Sequence, residues 1–394
     1  MSVIARSASD EAISGKARDC FAALAMTSLL NFTRLPIKGM KKSVARKELY
    51  MPERFMTLPE IRRAAKQVLP PGPWAFGAGG AETETTLRRN RQAIQRLAIR
   101  QRVLVDVRNV DLTTTFLGME LPLPIAIAPM GSLILFHPQG DVEMVRGAAP
   151  SKNLAVVSGV TGWPVEEVAQ AAKGPLIFQL YFGGPRSWAQ ELLARVEASG
   201  YHAVCLTVDL QRYGRRERDL HLRFDPREAR KLAPNAQPPD MDYQARLTWD
   251  DVAWLRSILR VPLGIKGIMT AEDAKLAVAA GVKIIWISNH GGRQLDSTQA
   301  TIDVLPEIAE TVAGRAEIII DGGFRRGTDV IKALALGANI VAMGRTMLWG
   351  LAADGAAGVN RTLQLLRDEL ETSLALCGQT SVRELKPSLI RRAQ

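Results

Sequence analysis

Cysteine is almost absent: three residues, Cys20, Cys205 and Cys377, in 394. An odd number so widely spaced excludes a disulfide framework and a cysteine-based metal cluster, so no metal is expected. Cys205, within Ala203-Val204-Cys205-Leu206, reads as a core residue, and a reducing cytoplasm fits. No run approaches the roughly 20 apolar residues that cross a bilayer, so no membrane span is expected. There is no basic low-complexity tail and no nucleic-acid motif. The net charge of +11 is spread over scattered arginines, which points away from nucleic acid and toward small acidic partners or a phosphorylated cofactor. What remains is ordinary: 47% hydrophobic and 23% charged residues, enough to bury a sizeable core.

The first fifty residues differ from the rest. Cys20 to Leu30 is mildly apolar, but Asp10, Glu11 and Asp19 precede it and no small-residue cleavage site follows, which argues against a secretory signal. Ser7–Ile13 and Arg18–Thr27 are similar to peptides translated from interspersed repeats in some bacterial genomes. Residues 1–50 are therefore expected to be an N-terminal extension, either disordered or an over-extended start, with the working protein beginning near Met40 or Met51. Residues 51–394 are expected to form the functional domain.

From Leu58 the pattern predicts two helices flanking a Gly-rich turn. Ile61, Ala65 and Leu69 recur at helical spacing, Thr86 to Leu97 is amphipathic, and Pro70 to Gly80 between them reads as irregular. Then come eight short apolar runs: Pro124–Met130, Ala155–Gly159, Leu176–Tyr181, Ala203–Asp209, Pro262–Gly267, Lys283–Asn289, Glu317–Gly323 and Ala338–Gly344. Near-continuous apolar runs of this length mark strands buried on both faces, as in parallel sheets. Intervening stretches such as Ala271–Ala280 and Gly327–Leu336 show helical spacing. Eight alternations predict an α/β fold, a (β/α)8 barrel, with an N-terminal helical segment and Ala356–Ala375 as a closing helix.

In such a barrel the chemistry lies at the carboxyl ends of the strands. Those ends carry Pro129-Met130-Gly131, Ser158, Gln179 with Tyr181, Thr207 with Asp209, Lys266, Ser288 with His290, Asp321 to Gly323, and Gly344 with Arg345. His290 is one of four histidines and suits proton abstraction because its ordinary pKa lies near neutrality. Asp209 is placed to hold the imidazolium that forms, and Arg216 and Arg293 to clamp a carboxylate. Lys266 suits either a Schiff base or stabilisation of negative charge on a cofactor. The loops Asp321–Gly327 and Gly344-Arg345 offer glycines for backbone approach and arginines for charge, where this fold often holds phosphate. They favour the cofactor role for Lys266.

Ser288-Asn289-His290-Gly291-Gly292-Arg293-Gln294, with Phe178–Tyr181, Leu206–Asp209, Gly214–Glu217, Ile265–Gly267 and Asp321–Gly323, resembles the FMN-dependent 2-hydroxy acid oxidase and dehydrogenase family from about Leu58 to Ile390. Glycolate oxidase, lactate oxidase and dehydrogenase, and mandelate dehydrogenase belong to it. The resemblance implies FMN-dependent oxidation of an (S)-2-hydroxy acid to the 2-oxo acid, with His290 taking either the α-proton or the hydroxyl proton. Asp209 would stabilise protonated His290, Arg293 and Arg216 would hold the substrate carboxylate, and Tyr181 would lie near its hydroxyl. Lys266 would stabilise the negative charge of the reduced flavin. Pro129, Met130, Ser158, Gln179, Thr207 and Ser288 would contact the flavin or ribityl chain, and Asp321, Gly323, Arg325, Gly344 and Arg345 would enclose the ribityl chain and phosphate. The family also implies a homo-oligomer, often a tetramer.

Two departures bear on the substrate. Phe76 stands where the family usually has a tyrosine whose hydroxyl reaches the carboxylate; the alternative is that it is merely core. Gly131 stands where the oxidases commonly carry alanine, which implies room for a bulkier, mandelate-like substrate and a dehydrogenase that reacts poorly with oxygen. Glycolate or L-lactate is the alternative substrate, and the electron acceptor is open among a quinone, another carrier and O2. The short polar loop from Asp225 to Gln244 lacks the insertion of membrane-bound members. Two other classes remain: an FMN barrel with different chemistry, and a non-catalytic scaffold, against which His290, Asp209, Lys266 and Arg293 together argue.

Overall fold

The computed structural model describes residues 54–227 and 241–393; the expected extension over residues 1–50 and most of the loop from Asp225 to Gln244 lie outside them. Helix α1 (Leu58–Val68) starts at Thr57, whose hydroxyl accepts from the Glu60 amide, and buries Leu58, Ile61 and Ala65. Helices α2 (Pro71–Ala78) and α3 (Thr85–Gln95) and strand β1 (Leu97–Ile99) follow. The irregular turn expected across Pro70 to Gly80 is thus corrected to a helix. Pro71 and Pro73 fall in its first turn, where an amide has no intrahelical acceptor and a proline costs nothing. Regular bonding begins with the Trp74 amide to Pro70 at 3.0 Å. Packing then holds the short helix, with Trp74 stacked on Trp349 at 4.6 Å between centroids.

A hairpin, β2 (Thr114–Phe116) and β3 (Met119–Leu121), leads into the barrel. The units run β4 (Ile125–Ile127), α4 (Gly140–Ala148), β5 (Leu154–Ser158), α5 (Val165–Ala171), β6 (Leu176–Leu180), α6 (Arg186–Ala198) and β7 (Ala203–Thr207). They continue as α7 (Glu217–His221), α8 (Met241–Ala245), α9 (Trp249–Ile258), β8 (Leu263–Ile268), α10 (Ala271–Ala279), β9 (Ile284–Ile287) and α11 (Thr301–Val312). The last are β10 (Glu317–Ile320), α12 (Gly327–Ala335), β11 (Ile340–Met343), α13 (Arg345–Leu376) and β12 (Ile390–Arg392). Strands β4 to β11 pair in parallel and close, β11 against β4. Each of the eight apolar runs overlaps one barrel strand; β5 starts one residue before its run and β8 ends one residue beyond its run. The expected closing helix is the second part of α13, beyond a break at Asp354 and Gly355. The pairing of β1 with β12 has no counterpart in the sequence reading.

Side chains alternate along each strand, so two cores form. Ile125, Val157, Phe178, Leu206, Ile265, Ile285, Ile320 and Val341 face the helices. Ala126, Leu154, Val156, Ile177, Cys205, Ile284, Trp286, Ile319 and Ala342 fill the interior, joined by Phe116 and Leu121 of the β2–β3 hairpin. Continuing the same period of two along the strands puts Ser158, Gln179, Thr207, Lys266 and Ser288 on the inward side, one step above this apolar plug. The lower interior is therefore closed and apolar, and polarity begins at the carboxyl ends.

Candidate active site

A cavity of about 660 Å³ opens at that end. Of the residues singled out in the sequence, Phe76, Pro129, Met130, Gly131, Tyr181, Arg216, Lys266, His290, Arg293, Asp321, Gly323, Arg325, Gly344 and Arg345 line it. Asp209 and Ser288 stand just behind, bonded to His290 and Lys266; Thr207 pairs with Lys266 between β7 and β8, and Ser158, beside Gly131, donates to Gln179. None of the predicted residues is left elsewhere in the fold.

His290 sits one turn beyond β9 with a φ of +56°, a left-handed conformation uncommon outside glycine. Its amide donates to the Ser288 hydroxyl at 3.0 Å, which helps hold the strained turn. Its Nδ1 lies 2.9 Å from Asp209 Oδ1, and its Nε2 is 3.5 Å from the Tyr181 hydroxyl. Asp209 reaches this position because Gly267 makes room. A Cβ at Gly267 would lie 2.8 Å from that of Asp209, and its φ is +117°. Burial depresses the His290 pKa, the Asp209 charge opposes that, and Lys266 adds to the depression; the net shift is downward. Burial pushes Asp209 the other way, but the His290 and Lys266 charges prevail and hold its carboxyl low. The histidine is therefore neutral at pH 7 and available as a base.

Lys266, on β8, donates to Ser288 Oγ at 2.9 Å and lies 3.7 Å from Asp321 Oδ2. Ser288 donates to Asp321 Oδ1 at 2.9 Å, and Trp286 Nε1 holds Oδ2 at 3.0 Å. Desolvation works against the buried ammonium, but Asp209 and Asp321 outweigh it and raise its pKa. The lysine stays protonated, which disfavours a Schiff-base role.

Arg293 Nη1 donates to the main-chain oxygens of Phe76 and Gly79, while Arg345 bonds those of Gly77, Gly79 and Gly291. The Arg293 and Arg216 guanidinium carbons lie 4.7 and 5.5 Å from the Phe76 ring centroid. Loss of solvent and the neighbouring Arg216 and Arg345 charges push Arg293 well below its ordinary value. Two cations held this close suit an anion between or beside them. Phe76 is both wall and core: it faces the cavity and packs on Phe136 at 6.2 Å.

Donors for a polar cofactor are present. Gln179 Nε2 and Thr207 Oγ1 are buried with no hydrogen-bond partner among the described residues; a buried orphan of this kind needs a ligand or water to complete it. At the other end lie Gly322 and Gly323 with positive φ, Gly344 at the start of α13, and Arg325. Partial desolvation, then Arg91 and Arg62, push Arg325 down, a crowding of charge that a phosphate would relieve. The residues fit a flavin mononucleotide: unpaired donors that would meet a polar ring system, and glycines and an arginine that would meet a phosphate.

Several residues went unnoticed in the sequence. Phe136, Val160, Leu210, Tyr213 and Met241 also line the cavity. Val160, Leu210 and Tyr213 follow β5 and β7 within a few residues, so the strand-end rule applied more widely would have found them. The supports were less visible. Asn90 and Asn289 exchange amide hydrogen bonds of 2.8 and 2.9 Å across 199 residues. Asp296 accepts from the Thr85 and Thr86 amides, capping α3 from a distant loop.

Residues 65–392 match the FMN-dependent dehydrogenase family. The chain is 43% identical to glycolate oxidase of Spinacia oleracea over 347 residues, covering 84% of this chain and 94% of that one. It is 39% identical to a peroxisomal (S)-2-hydroxyacid oxidase of Arabidopsis thaliana over 352 residues, covering 86% and 97%. Among solved structures, a mandelate oxidase variant with (S)-mandelic acid superposes with a TM-score of 0.80 at 36% identity, over 86% of this chain and 99% of that one. A soluble variant of the membrane-associated (S)-mandelate dehydrogenase from Pseudomonas putida gives 0.79 at 34%, over 85% and 99%. Among the described residues no helix is long and apolar enough to cross a membrane.

Proposed function

The chain belongs to the FMN-dependent dehydrogenase family and oxidises a 2-hydroxy acid with FMN as cofactor; on that premise we propose that its substrate is an (S)-2-hydroxy acid with a bulky apolar or aromatic side chain, mandelate-like in shape. The observation that carries this reading is the wall of the cavity: Phe76, Phe136, Val160, Leu210 and Met241 are apolar, and Gly131 among them has no side chain. Such a wall gains from burying an aromatic or long aliphatic group, at about 25 cal/mol per Å² of apolar surface. It offers a two- or three-carbon acid little.

In this reading FMN supplies the two-electron acceptor. His290 removes a proton at the α-carbon or the hydroxyl, and Asp209, 2.9 Å from its far nitrogen, stabilises the imidazolium. Arg216 and Arg293 bind the carboxylate, Tyr181 lies beside the hydroxyl, and Lys266 stabilises the negative charge that reaches the cofactor. Gln179, Thr207, Ser158, Ser288, Pro129 and Met130 hold the ring system, and Asp321, Gly323, Arg325, Gly344 and Arg345 the ribityl phosphate. Gly131 supports a dehydrogenase that passes electrons to a quinone or another carrier rather than O2. The reading includes a homotetramer in the cytoplasm; Cys205 and Cys377, free and buried, are compatible with a reducing compartment. Residues 1–50 stand outside the working domain, 51–394.

Anaerobic bleaching of the purified flavoprotein tests the substrate directly. (S)-Mandelate and a long-chain 2-hydroxy acid are expected to bleach it faster than glycolate or (S)-lactate, with slow recovery on readmitting oxygen. Faster bleaching by the small acids with rapid reoxidation would overturn the reading in favour of a glycolate- or lactate-type oxidase.

A further inference from the structure

We propose that the Tyr213 phenol is a third ligand of the substrate carboxylate, donating its proton to one carboxylate oxygen beside the two guanidiniums. The inference rests on the reading of Arg216 and Arg293 as the carboxylate clamp. Tyr213 follows β7 by six residues, is half-buried, and lines the cavity. Its ring lies under the Arg216 guanidinium, 4.2 Å from the centroid, and its oxygen accepts from Arg216 Nη1 at 2.5 Å. A guanidinium only donates, so the phenol oxygen is the acceptor in that bond and its own proton must point elsewhere. No described residue accepts that proton. The cavity beside it is where an anion is called for: Arg216 and Arg293 both lie over Phe76, whose ring brings no hydroxyl. The nearby carboxylate, Asp219, leaves the group net positive, with Arg345 adding to it.

The loop that carries Tyr213 is built for this approach. Gln294, which closes the histidine motif, donates through Nε2 to the main-chain oxygens of Asp209 and Arg212 at 3.0 and 2.8 Å, and accepts from the Gly214 amide at 3.3 Å. One side chain therefore staples the Tyr213 loop to the His290 loop. A Cβ on Gly214 would lie 2.4 Å from the Arg293 carbonyl oxygen, so only glycine lets the two loops come this close. The phenol is thereby held in register with Arg293 and His290 rather than left on a loose surface turn.

A double-mutant cycle with a carboxylate that cannot be oxidised decides the matter. Oxalate is titrated into the FMN-loaded protein and binding is read from the flavin absorbance, for wild type, Tyr213→Phe, Arg216→Met and the double variant. Tyr213→Phe keeps the ring under Arg216, so the stacking survives. It is expected to weaken oxalate roughly tenfold to hundredfold, the range for a hydrogen bond to a charged group. It is also expected to raise the KM for a 2-hydroxy acid while kcat moves by less than about threefold, as removal of uniform binding should. The loss should persist, at about tenfold or more, when Tyr213→Phe is made in the Arg216→Met background. If the hydroxyl adds nothing in that background, Tyr213 only orients Arg216 and the proposal fails. If Arg216→Met by itself leaves oxalate binding unchanged, it is the clamp reading that fails.

Discussion

Replacing Asp209 by asparagine removes one negative charge and little else. The amide oxygen can still accept from His290 Nδ1, as Oδ1 does now at 2.9 Å, so the ring keeps its orientation. What is lost is the counter-charge to the imidazolium. At about 4 Å and an effective dielectric of about 20, two unit charges attract by about 4 kcal/mol, close to a thousandfold in rate. Asp209 is the charge that favours protonated His290, while burial, Lys266 and Arg216 oppose it among the described residues. Asp209→Asn is therefore expected to slow flavin reduction by roughly 10²- to 10³-fold with unchanged FMN content. Anaerobic stopped-flow mixing at saturating substrate measures this, and an α-deuterated substrate should show cleavage of the α-carbon–hydrogen bond becoming more fully rate-limiting. A loss smaller than tenfold in a fully flavinylated variant would refute the assignment of Asp209 as the electrostatic partner of the base.

Three other outcomes follow from the same geometry. Because burial and Lys266 prevail over Asp209 in lowering the His290 pKa, the reduction rate should rise with pH on a limb centred below about 6.5 and be flat by neutrality; a limb centred above pH 7 would contradict this. Asp141, on α4 and buried, meets Thr161, the Gly162 amide and its own amide, yet desolvation pushes its carboxyl up to about 7. Between about pH 4 and 7 the folded chain thus holds a proton that the unfolded chain has released, and stability falls as pH rises through that window. Asp141→Asn should remove the slope and raise Tm at pH 8, with a gain of up to about 4 kcal/mol; thermal melts of the two proteins at pH 8 that coincide would show no such strain. Finally, a Cβ on Gly131 would lie 3.1 Å from that of Val160. Gly131→Ala should cost about 1–2 kcal/mol in overpacking and lower the kcat/KM ratio of (S)-mandelate to (S)-lactate, while adding Val160→Ala should recover part of both. An unchanged ratio in Gly131→Ala would separate this glycine from specificity.

The pH-8 melt and the Gly131–Val160 pair also show how far the sequence could be read. Asp141 carries no motif and acquires meaning only from what the closed barrel brings against it. Val160 and Tyr213 lie within reach of the strand-end rule, but their particular contacts, with Gly131 and with Arg216, come from the tertiary structure. Helix α2 was concealed by its own composition, since prolines that break a helix interior are harmless in a first turn. Strands β1 and β12 hid for a different reason: each is three residues long, and they pair across almost 300 positions of chain.

The sequence by itself determined the eight-fold alternation, the polar residues at the ends of the apolar runs, and the histidine motif with its arginine. These are local patterns: a period of two along a strand, a period of 3.6 along a helix, a glycine where a turn must be tight. Tertiary structure brought together Asp209 and His290, which the strand-end rule had already paired, and alone decided that Lys266 meets Ser288 and Asp321. It also decided that Asn90 locks to Asn289, and that Phe76 and Tyr213 flank the arginines. Such pairs depend on barrel closure and loop register, which arise from packing summed over the whole chain and leave no trace in the spacing of neighbouring residues.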